Sequence, residues 1–399
     1  MKNKSAHVLV VDGFIPLHIA LRALGAELTI ICEVGRLGTK YPDLYQRRLQ
    51  LPQGYTAEEA IAAVKGLHEL EPFTAIVNSH EKKQDITAKI AEALKLPYHT
   101  LDTIWHIYDK NEMRSCLEAA GLPALNHEVV NSPEALRVFA RGNGYPFVVK
   151  PVSGWGSQGV QVARQASDLE GLWSRLGDSA YVEDFLVGDE YSVEAFSEEG
   201  EHEILGITKK IKLSKTCIEI GHVFPADLSD NLATDIETYV KDVLNAIDLR
   251  NGPSHTEVMV GPEGNLQVIE THNRLGGDKI DELLKYALDV NPLELWARQV
   301  LGEKVLSEIA TVKPVRFAAV SFIHSEEEGK ILSLPEPSLL KMANVLEIHY
   351  FKTVGDDVEP VQDSFSRLGY VVTQGETAEE ALGLAEGLTA KIREGLRLE

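Results

Sequence analysis

At 399 residues the chain exceeds what one hydrophobic core usually serves, so two or three domains are expected. Its composition, 44% apolar and 25% charged, is that of a globular protein and excludes a disordered one. With 39 Lys and Arg against 61 Asp and Glu the net charge is −22, which argues against a nucleic-acid-binding surface but leaves room for a small basic pocket around nucleotide phosphates.

His7 to Val11 reads as a buried strand, residues 17–24 as a helix stopped by Gly25, and Glu27 to Cys32 as a second strand. Thr56 and Glu59 have capping-box spacing for a further helix, and FTAIVN (73–78) is another buried strand. Strands alternating with helices imply a parallel sheet. The turn VDGF lacks G-x-G-x-x-G, so residues 1–105 read as a Rossmann-like domain without the usual dinucleotide. A new unit starts at Asp109, which can cap a helix with Glu112 three residues on. Met113, Cys116, Leu117 and Ala120 form its apolar face, and Gly121 ends it. From Tyr145 the period changes to two: YPFVVK, VQVAR, YVEDFL and YSVEAF are strand-like, an α+β pattern. VRFAAVSFI, an acidic turn and a last amphipathic helix capped by Thr377 with Glu380 complete the chain. The three cysteines, Cys32, Cys116 and Cys217, have neither disulfide-framework nor zinc spacing. There is no apolar run of membrane-spanning length and no signal-peptide pattern, so a cytoplasmic protein is expected.

Four segments carry candidate chemistry. In KPVSGWGSQGV, Gly154, Gly156 and Gly159 spell G-x-G-x-x-G, yet a strand pattern follows where a Rossmann site needs a helix. A Walker lysine is missing, and so are the kinase H-R-D and D-F-G signatures. What remains is a strand ending in Lys150, a glycine loop and a second strand: either a phosphate cradle or a plain hairpin with a solvated lysine. In TEVMVGPEGNLQVIETHN a turn at PEGN sets Glu257 opposite Glu270. Facing like charges repel, so the two are either screened at the surface or bridged by a cation, with Mg²⁺ favoured beside phosphates and His272 or Asn273 as a supplement. Arg274 and the glycines of RLGGDKI suit a carboxylate or oxyanion, or else make a helix-entry turn. Glu219 and His222 in EIGHVFPA are a pair whose type is more often structural than catalytic.

Taken in order, DKNEMRSCLEAAGLP, FVVKPVSGWGSQGV, VEDFLVGDEYSVE and HTEVMV…VIETHNRLGG resemble the ATP-grasp superfamily of carboxylate–amine ligases over residues 105–290. ETHNRLGG and EIGHVFP look most like its L-amino-acid ligase branch. The resemblance implies an ATP-grasp fold, mixed α/β and α+β. Its units would be an N-terminal Rossmann-like domain (1–105), a small lid subdomain (106–187), a central catalytic subdomain (188–312) and a C-terminal α+β region (313–399). It implies that Lys110 and Lys150 contact ATP phosphates under a loop containing Ser153, Gly154, Gly156, Ser157 and Gly159. Glu183, Phe185 and Leu186 would form the adenine linker, Glu190 would hold the ribose, and Lys209 or Lys210 would add a phosphate contact. Glu257 and Glu270 would hold Mg²⁺, or Mn²⁺ in its place. The family often has Asn two residues after the second carboxylate; here His272 stands there and Asn273 follows. Arg274, Leu275, Gly276 and Gly277 match the substrate loop, and Glu219, His222 and Glu81 match substrate-pocket positions.

The implied reaction is acyl-phosphate formation from ATP followed by attack of an amine. Arg274 with the Gly276 and Gly277 amides would stabilise the oxyanion, and Glu219 or His222 would receive the amine. The implied partners are small carboxylates and amines, amino acids among them. A homodimer is compatible with the resemblance, since many members dimerise. Biotin carboxylase-like or purine-biosynthetic ATP-grasp enzymes, a D-alanine–D-alanine-type ligase and a non-catalytic nucleotide-binding regulator are the rival readings.

Overall fold

The structure is a computed structural model, described for residues 5–36, 41, 43–152, 159–213, 216–340 and 342–399. Strand β1 (His7–Val11) is buried along its whole length and alternates between two cores. Val8 and Val10 pack with Leu17 and Leu21 of helix α1 (Ile15–Ala23), while Leu9 and Val11 pack with Ala60 and Val64 of helix α2 (Ala57–Leu70). Covering both faces is what a parallel sheet requires. With β2 (Glu27–Glu33), β3 (Arg47–Leu51) and β4 (Ala75–Val77) it forms a four-stranded parallel sheet of order β3-β2-β1-β4. Gly25, at φ 88°, closes α1 with bonds from its own N–H to Arg22 and from Ala26 to Leu21. The α2 capping box is reciprocal, Glu59 N–H to Thr56 Oγ1 at 3.3 Å and Thr56 N–H to Glu59 Oε2 at 2.8 Å. Strand β3 has no sequence forecast because RRLQL is a half-buried edge whose two leucines are too few to establish a period.

Helix α3 (Gln84–Leu94) leads to α4 (Leu101–Tyr108) and α5 (Lys110–Ala119). Asp109 separates the last two and caps α5, accepting from the N–H groups of Asn111 (2.9 Å) and Glu112 (3.1 Å). Ala120, assigned to the apolar face, is exposed, whereas Arg114 is fully buried on it.

Four antiparallel strands follow, β5 (His127–Val130), β6 (Phe147–Lys150), β7 (Gln161–Ala163) and β8 (Ala180–Asp184), ordered β5-β8-β6-β7. The central sheet contains β9 (Asp189–Glu198), β10 (Glu201–Lys212), β11 (Glu219–Phe224), β12 (Gly252–Val260), β13 (Leu266–His272) and β14 (Phe317–Ile323). Strand β15 (Gly329–Ser333) leaves it, β16 (Val345–Tyr350) returns, β17 (Asp357–Val358) pairs with β15, and β18 (Gly369–Gly375) completes the eight-stranded order β13-β12-β9-β10-β11-β14-β18-β16. A short β19 (Arg397–Leu398) also joins β15. The helix Ala378–Gly395, capped by Thr377, sets Leu388 and Ile392 against Ile323 and Val371. Among the described residues no helix is long and apolar enough to cross a membrane.

Candidate active site

Two cavities meet where the central sheet faces the four-stranded antiparallel one. A nucleotide-sized cleft is lined by Lys110, Lys150, Glu183, Phe185, Leu186, Glu190 and Lys212, with Val148, Val160, Met259 and Ile269 as apolar walls. A second cavity of about 500 Å³ is lined by Glu81, Arg274, Gly277, Asp278 and, from the C-terminal region, Phe351, Lys352, Phe365 and Arg367. Glu219, Glu257 and Glu270 line both.

The cleft is organised by buried charge. Lys150 ends β6, and its ammonium bonds Glu183, which the β6–β8 ladder carries alongside. Arg114 of α5 bonds the second oxygen of Glu183 at 3.2 Å and donates to the carbonyls of Val268 (3.0 Å) and Ile269 (2.8 Å). Burial pushes the Glu183 carboxyl up, but Lys150 and then Arg114 hold it below the usual carboxylate range. Burial lowers Lys150 in turn, with Glu183 opposing. The Glu183 side chain is thus committed to Lys150 and Arg114.

Period two decides which β10 lysine enters the site. Lys210 and Lys212 share the inward face, while Lys209 points away, 3.5 Å from Asp189 and outside both cavities. Lys209, expected as a phosphate contact, lines neither cavity; Lys212 lines the nucleotide cleft and Lys210 the second cavity. The Lys210 ammonium lies 2.8 Å from Glu190, 2.7 Å from Glu219 and 2.5 Å from Glu257, and Lys212 reaches the other Glu190 oxygen at 2.9 Å. Burial disfavours the Lys210 charge, but the three carboxylates hold its pKa well above the ordinary value.

The ladder pairs Glu257 with Glu270, as the turn symmetry predicted. Both carboxyls are held toward the ionised form. Burial raises each, but Lys210 and His255 draw Glu257 down to about 2, and His272, Lys110 and Lys150 hold Glu270 well below its usual value. His272 Nε2 is 3.1 Å from Glu270. Asn273 is corrected as the supplementary ligand. Its Oδ1 accepts from Tyr108 (2.6 Å) and its amide nitrogen donates to Gln84 (3.1 Å), so the group is locked at the seam with α3 and α4.

Arg274 is gripped by Glu81, Nε to Oε1 at 3.2 Å plus a shorter Nη2 contact, and donates to the Leu275 carbonyl at 2.8 Å. Leu275 itself is buried in the core. Gly276 is corrected as an oxyanion donor, because its N–H already donates to buried Glu194 at 3.0 Å. Glu194 also meets His255 Nδ1 at 2.5 Å, and His255 Nε2 lies 3.3 Å from Glu257. Gly277 lines the second cavity. His222 is wholly buried, 3.4 Å from Glu219 and 3.9 Å from Asp278, and Arg367 clamps Asp278 with two bonds of 2.8 Å. Burial drives Glu219 above the ordinary carboxylate range despite Lys210 and His222. Gly159 stands at φ 69° against Pro151, while Ser153, Gly154, Gly156 and Ser157 lie outside the described residues.

Sequence reasoning missed Arg114, Glu194, His255 and Arg367. Arg114 had one available signal, a cation on the helix face that Met113 and Leu117 mark as buried.

The setting is a lysine-lined cleft beside the four-stranded antiparallel sheet, bordered by two facing carboxylates, and residues 143–282 match the ATP-grasp domain. At the other end of the chain residues 321–396 match the L-amino acid ligase C-terminal domain 2. Among relatives, the L-arginine-specific L-amino acid ligase of Bacillus subtilis is 23% identical over 304 residues, 73% of each chain. The alanine–anticapsin ligase of Bacillus subtilis is 23% identical over 267 residues, 59% of this chain and 55% of that protein. The crystal structure of an L-amino acid ligase from Bacillus licheniformis superposes with a TM-score of 0.83 at 23% identity, covering 100% of this chain and 99% of the other.

Proposed function

We propose that the protein is an ATP-dependent ligase joining two L-amino acids, or an amino-acid-like acid and an amino acid, through an amide bond with release of ADP and phosphate. The observation that carries this reading is the Glu257–Glu270 pair, which borders the nucleotide cleft on one side and the second cavity on the other. Their ionised oxygens are the donor set a hard divalent cation takes, so Glu257 and Glu270 would hold Mg²⁺ or Mn²⁺, with His272 beside them. Bound there, the metal supplies charge neutralisation for phosphoryl transfer.

Each group of the chain then has a task. Lys110 and Lys150 neutralise phosphate oxygens, the backbone beyond Glu183 receives the base between apolar walls, and Glu190 takes the ribose. A substrate carboxylate oxygen attacks the γ-phosphorus, ADP leaves, and an acyl phosphate forms. The incoming amine attacks the acyl carbon, phosphate departs and the amide remains. Arg274, preset by Glu81, and the Gly277 amide face the developing oxyanion, where one donor is worth ~3 kcal/mol. Glu219 takes the amine proton: it lines the cavity with a raised pKa, whereas His222 is closed off behind it.

The test is phosphate release over a matrix of paired L-amino acids, with product masses read by spectrometry. Amino-acid-dependent phosphate and a dipeptide mass are expected. ATP hydrolysis driven by bicarbonate without an amino acid, or a preference for D-alanine, would transfer the protein to the rival ATP-grasp chemistries. The four units 1–105, 106–187, 188–312 and 313–399, a cytoplasmic location and a homodimer belong to the same proposal. Limited proteolysis, fractionation and sedimentation test them.

A further inference from the structure

A third chamber, with polar and apolar walls, lies at the N-terminal parallel sheet. It has a volume of about 160 Å³ and is lined by His80, the neighbour of the Glu81 that lines the ligation cavity. The topology accounts for its position. The chain runs from β1 outward to β2 and β3, then returns to place β4 on the other side of β1. The loops after β1 and β4 therefore diverge, and such a switch point leaves a crevice beyond the carboxyl ends of the strands. Asp12 and Gly13 follow β1, Arg36 follows β2, and His80 follows β4; all four line the chamber.

Two buried side chains in its wall have unused hydrogen-bonding atoms. Asp12 is 9% exposed, and its Oδ2 has no hydrogen-bond partner among the described residues. His18 is 0% exposed; its Nδ1 is 2.7 Å from the Tyr45 hydroxyl, while Nε2 has no partner among the described residues. Native proteins rarely bury such atoms unpaired, because each forfeits its water without replacement. Asp12 also holds a left-handed backbone, φ 52°, a conformation kept where the surroundings impose it. The start of α1 nearby favours an acidic group, which accounts for the charge of Asp12 but satisfies no lone pair of Oδ2. Burial pushes the Asp12 carboxyl up, with Arg36, Lys83 and His80 acting in the opposite direction. Arg36 makes one long ion-pair contact among the described residues, 4.0 Å to Glu33.

The lining carries both signs of chemistry: a buried carboxylate and an imidazole nitrogen, together with the Arg36 guanidinium whose charge acts on Asp12. Apolar Ile15, Ile30 and Leu44 complete the wall. We infer that this chamber binds a small free α-amino acid, its ammonium on Asp12 and His18 and its carboxylate on Arg36, at a site separate from the ligation cavity. With the His18 proton on Nδ1, donated to the Tyr45 hydroxyl, an ammonium donates to both Asp12 Oδ2 and His18 Nε2, and a short aliphatic side chain meets the apolar wall. A phosphate-bearing ligand is disfavoured because the Asp12 carboxylate would face it. The choice of an amino acid over another zwitterion rests on the ligase reading above, while the binding geometry does not.

The experiment is calorimetric titration of L-alanine, without nucleotide, into wild type, Arg274→Ala, Asp12→Asn and the double variant. Arg274→Ala is expected to keep a binding event that Asp12→Asn weakens at least about tenfold. Ethylamine and acetate, each supplying one half of the zwitterion, are expected to bind more weakly than L-alanine. If Asp12→Asn fails to fold, Arg36→Met carries the same expectation. Binding that disappears in Arg274→Ala, or persists unchanged in both Asp12→Asn and Arg36→Met, overturns the second site. Ligation that survives in Arg274→Ala would instead overturn the proposed ligase chemistry and leave the chamber untouched.

Discussion

Glu257 and Glu270 face each other across the β12–β13 ladder, and each carboxylate has its own nitrogen neighbour: Lys210 Nζ for Glu257 and His272 Nε2 for Glu270. Directly opposed like charges destabilise a sheet, so the pair is held by these partners rather than by affinity within the ladder.

Glu270→Gln removes one ionised oxygen donor while keeping the shape. Turnover should fall about 10²- to 10³-fold, the scale of losing one electrostatic contact to the reacting group, and the magnesium requirement should rise. Folding stability should fall, because a carboxyl held well below its ordinary pKa stabilises the fold in its ionised form and the amide cannot. Phosphate release against magnesium concentration and a urea titration check both halves, and unchanged turnover would contradict the metal assignment.

Lys210→Met leaves Glu190, Glu219 and Glu257 buried around an uncharged chain. Breaking a buried ion pair from one side costs about 3–5 kcal/mol, so a large drop in the urea midpoint is expected. Lys209→Met, on the outward face, should change stability by less than about 1 kcal/mol.

Arg114→Lys tests the cleft from behind. A lysine cannot reproduce the planar fork that serves Glu183 and two carbonyls at once. The KM for ATP should rise about tenfold or more, roughly 1.4 kcal/mol of lost positioning, with a smaller effect on the KM for amino acids.

Gly276 and Gly277 separate on packing. A Cβ at Gly276 would stand 2.9 Å from Glu194 Oε1, His255 Nδ1 and Ile280 Cγ2, whereas one at Gly277 meets no atom within 4 Å. Gly276→Ala should cost about 1–3 kcal/mol by overpacking, and Gly277→Ala should be close to neutral for stability. Chemical denaturation of the two variants decides it.

Acid unfolding should carry the signature of Glu257, whose folded pKa of about 2 lies below the ordinary 4.5. A depressed carboxylate contributes stability above its unfolded value and loses it as pH falls through the folded one. Stability should therefore decline between pH 4.5 and about 2, and Glu257→Gln should flatten that part of the profile. Glu219 works in the opposite sense: raised by burial, it gives stability that is present at low pH and lost as pH rises. Urea midpoints measured across this range separate the two.

Local patterning made much of the architecture legible. The buried run of β1, the Thr56, Asp109 and Thr377 caps, and the two-residue period from Tyr145 are short-range features, each determined by atoms within a turn or a pleat. The Glu257–Glu270 pairing was equally readable, because a tight turn fixes register and register fixes which side chains meet. The resemblance to the ATP-grasp superfamily, rather than local spacing, is what grouped Lys150, Arg274 and Glu81.

Tertiary structure decided which polar group spends its bonds where. Asn273 and Gly276 sit beside the right residues in sequence, yet Tyr108 with Gln84, and Glu194, consume their hydrogen bonds. Lys209 and Lys210 are adjacent and chemically identical, and the packing of β10 against β9 and β11 turns Lys210 inward. Arg114 acquires its role only when Glu183 and two carbonyls, 69 to 155 residues away, are folded onto it. Hydrogen bonds and charge pairs saturate, so a side chain's role depends on what reaches it first. That competition is settled by contacts far apart along the chain, which no local pattern records.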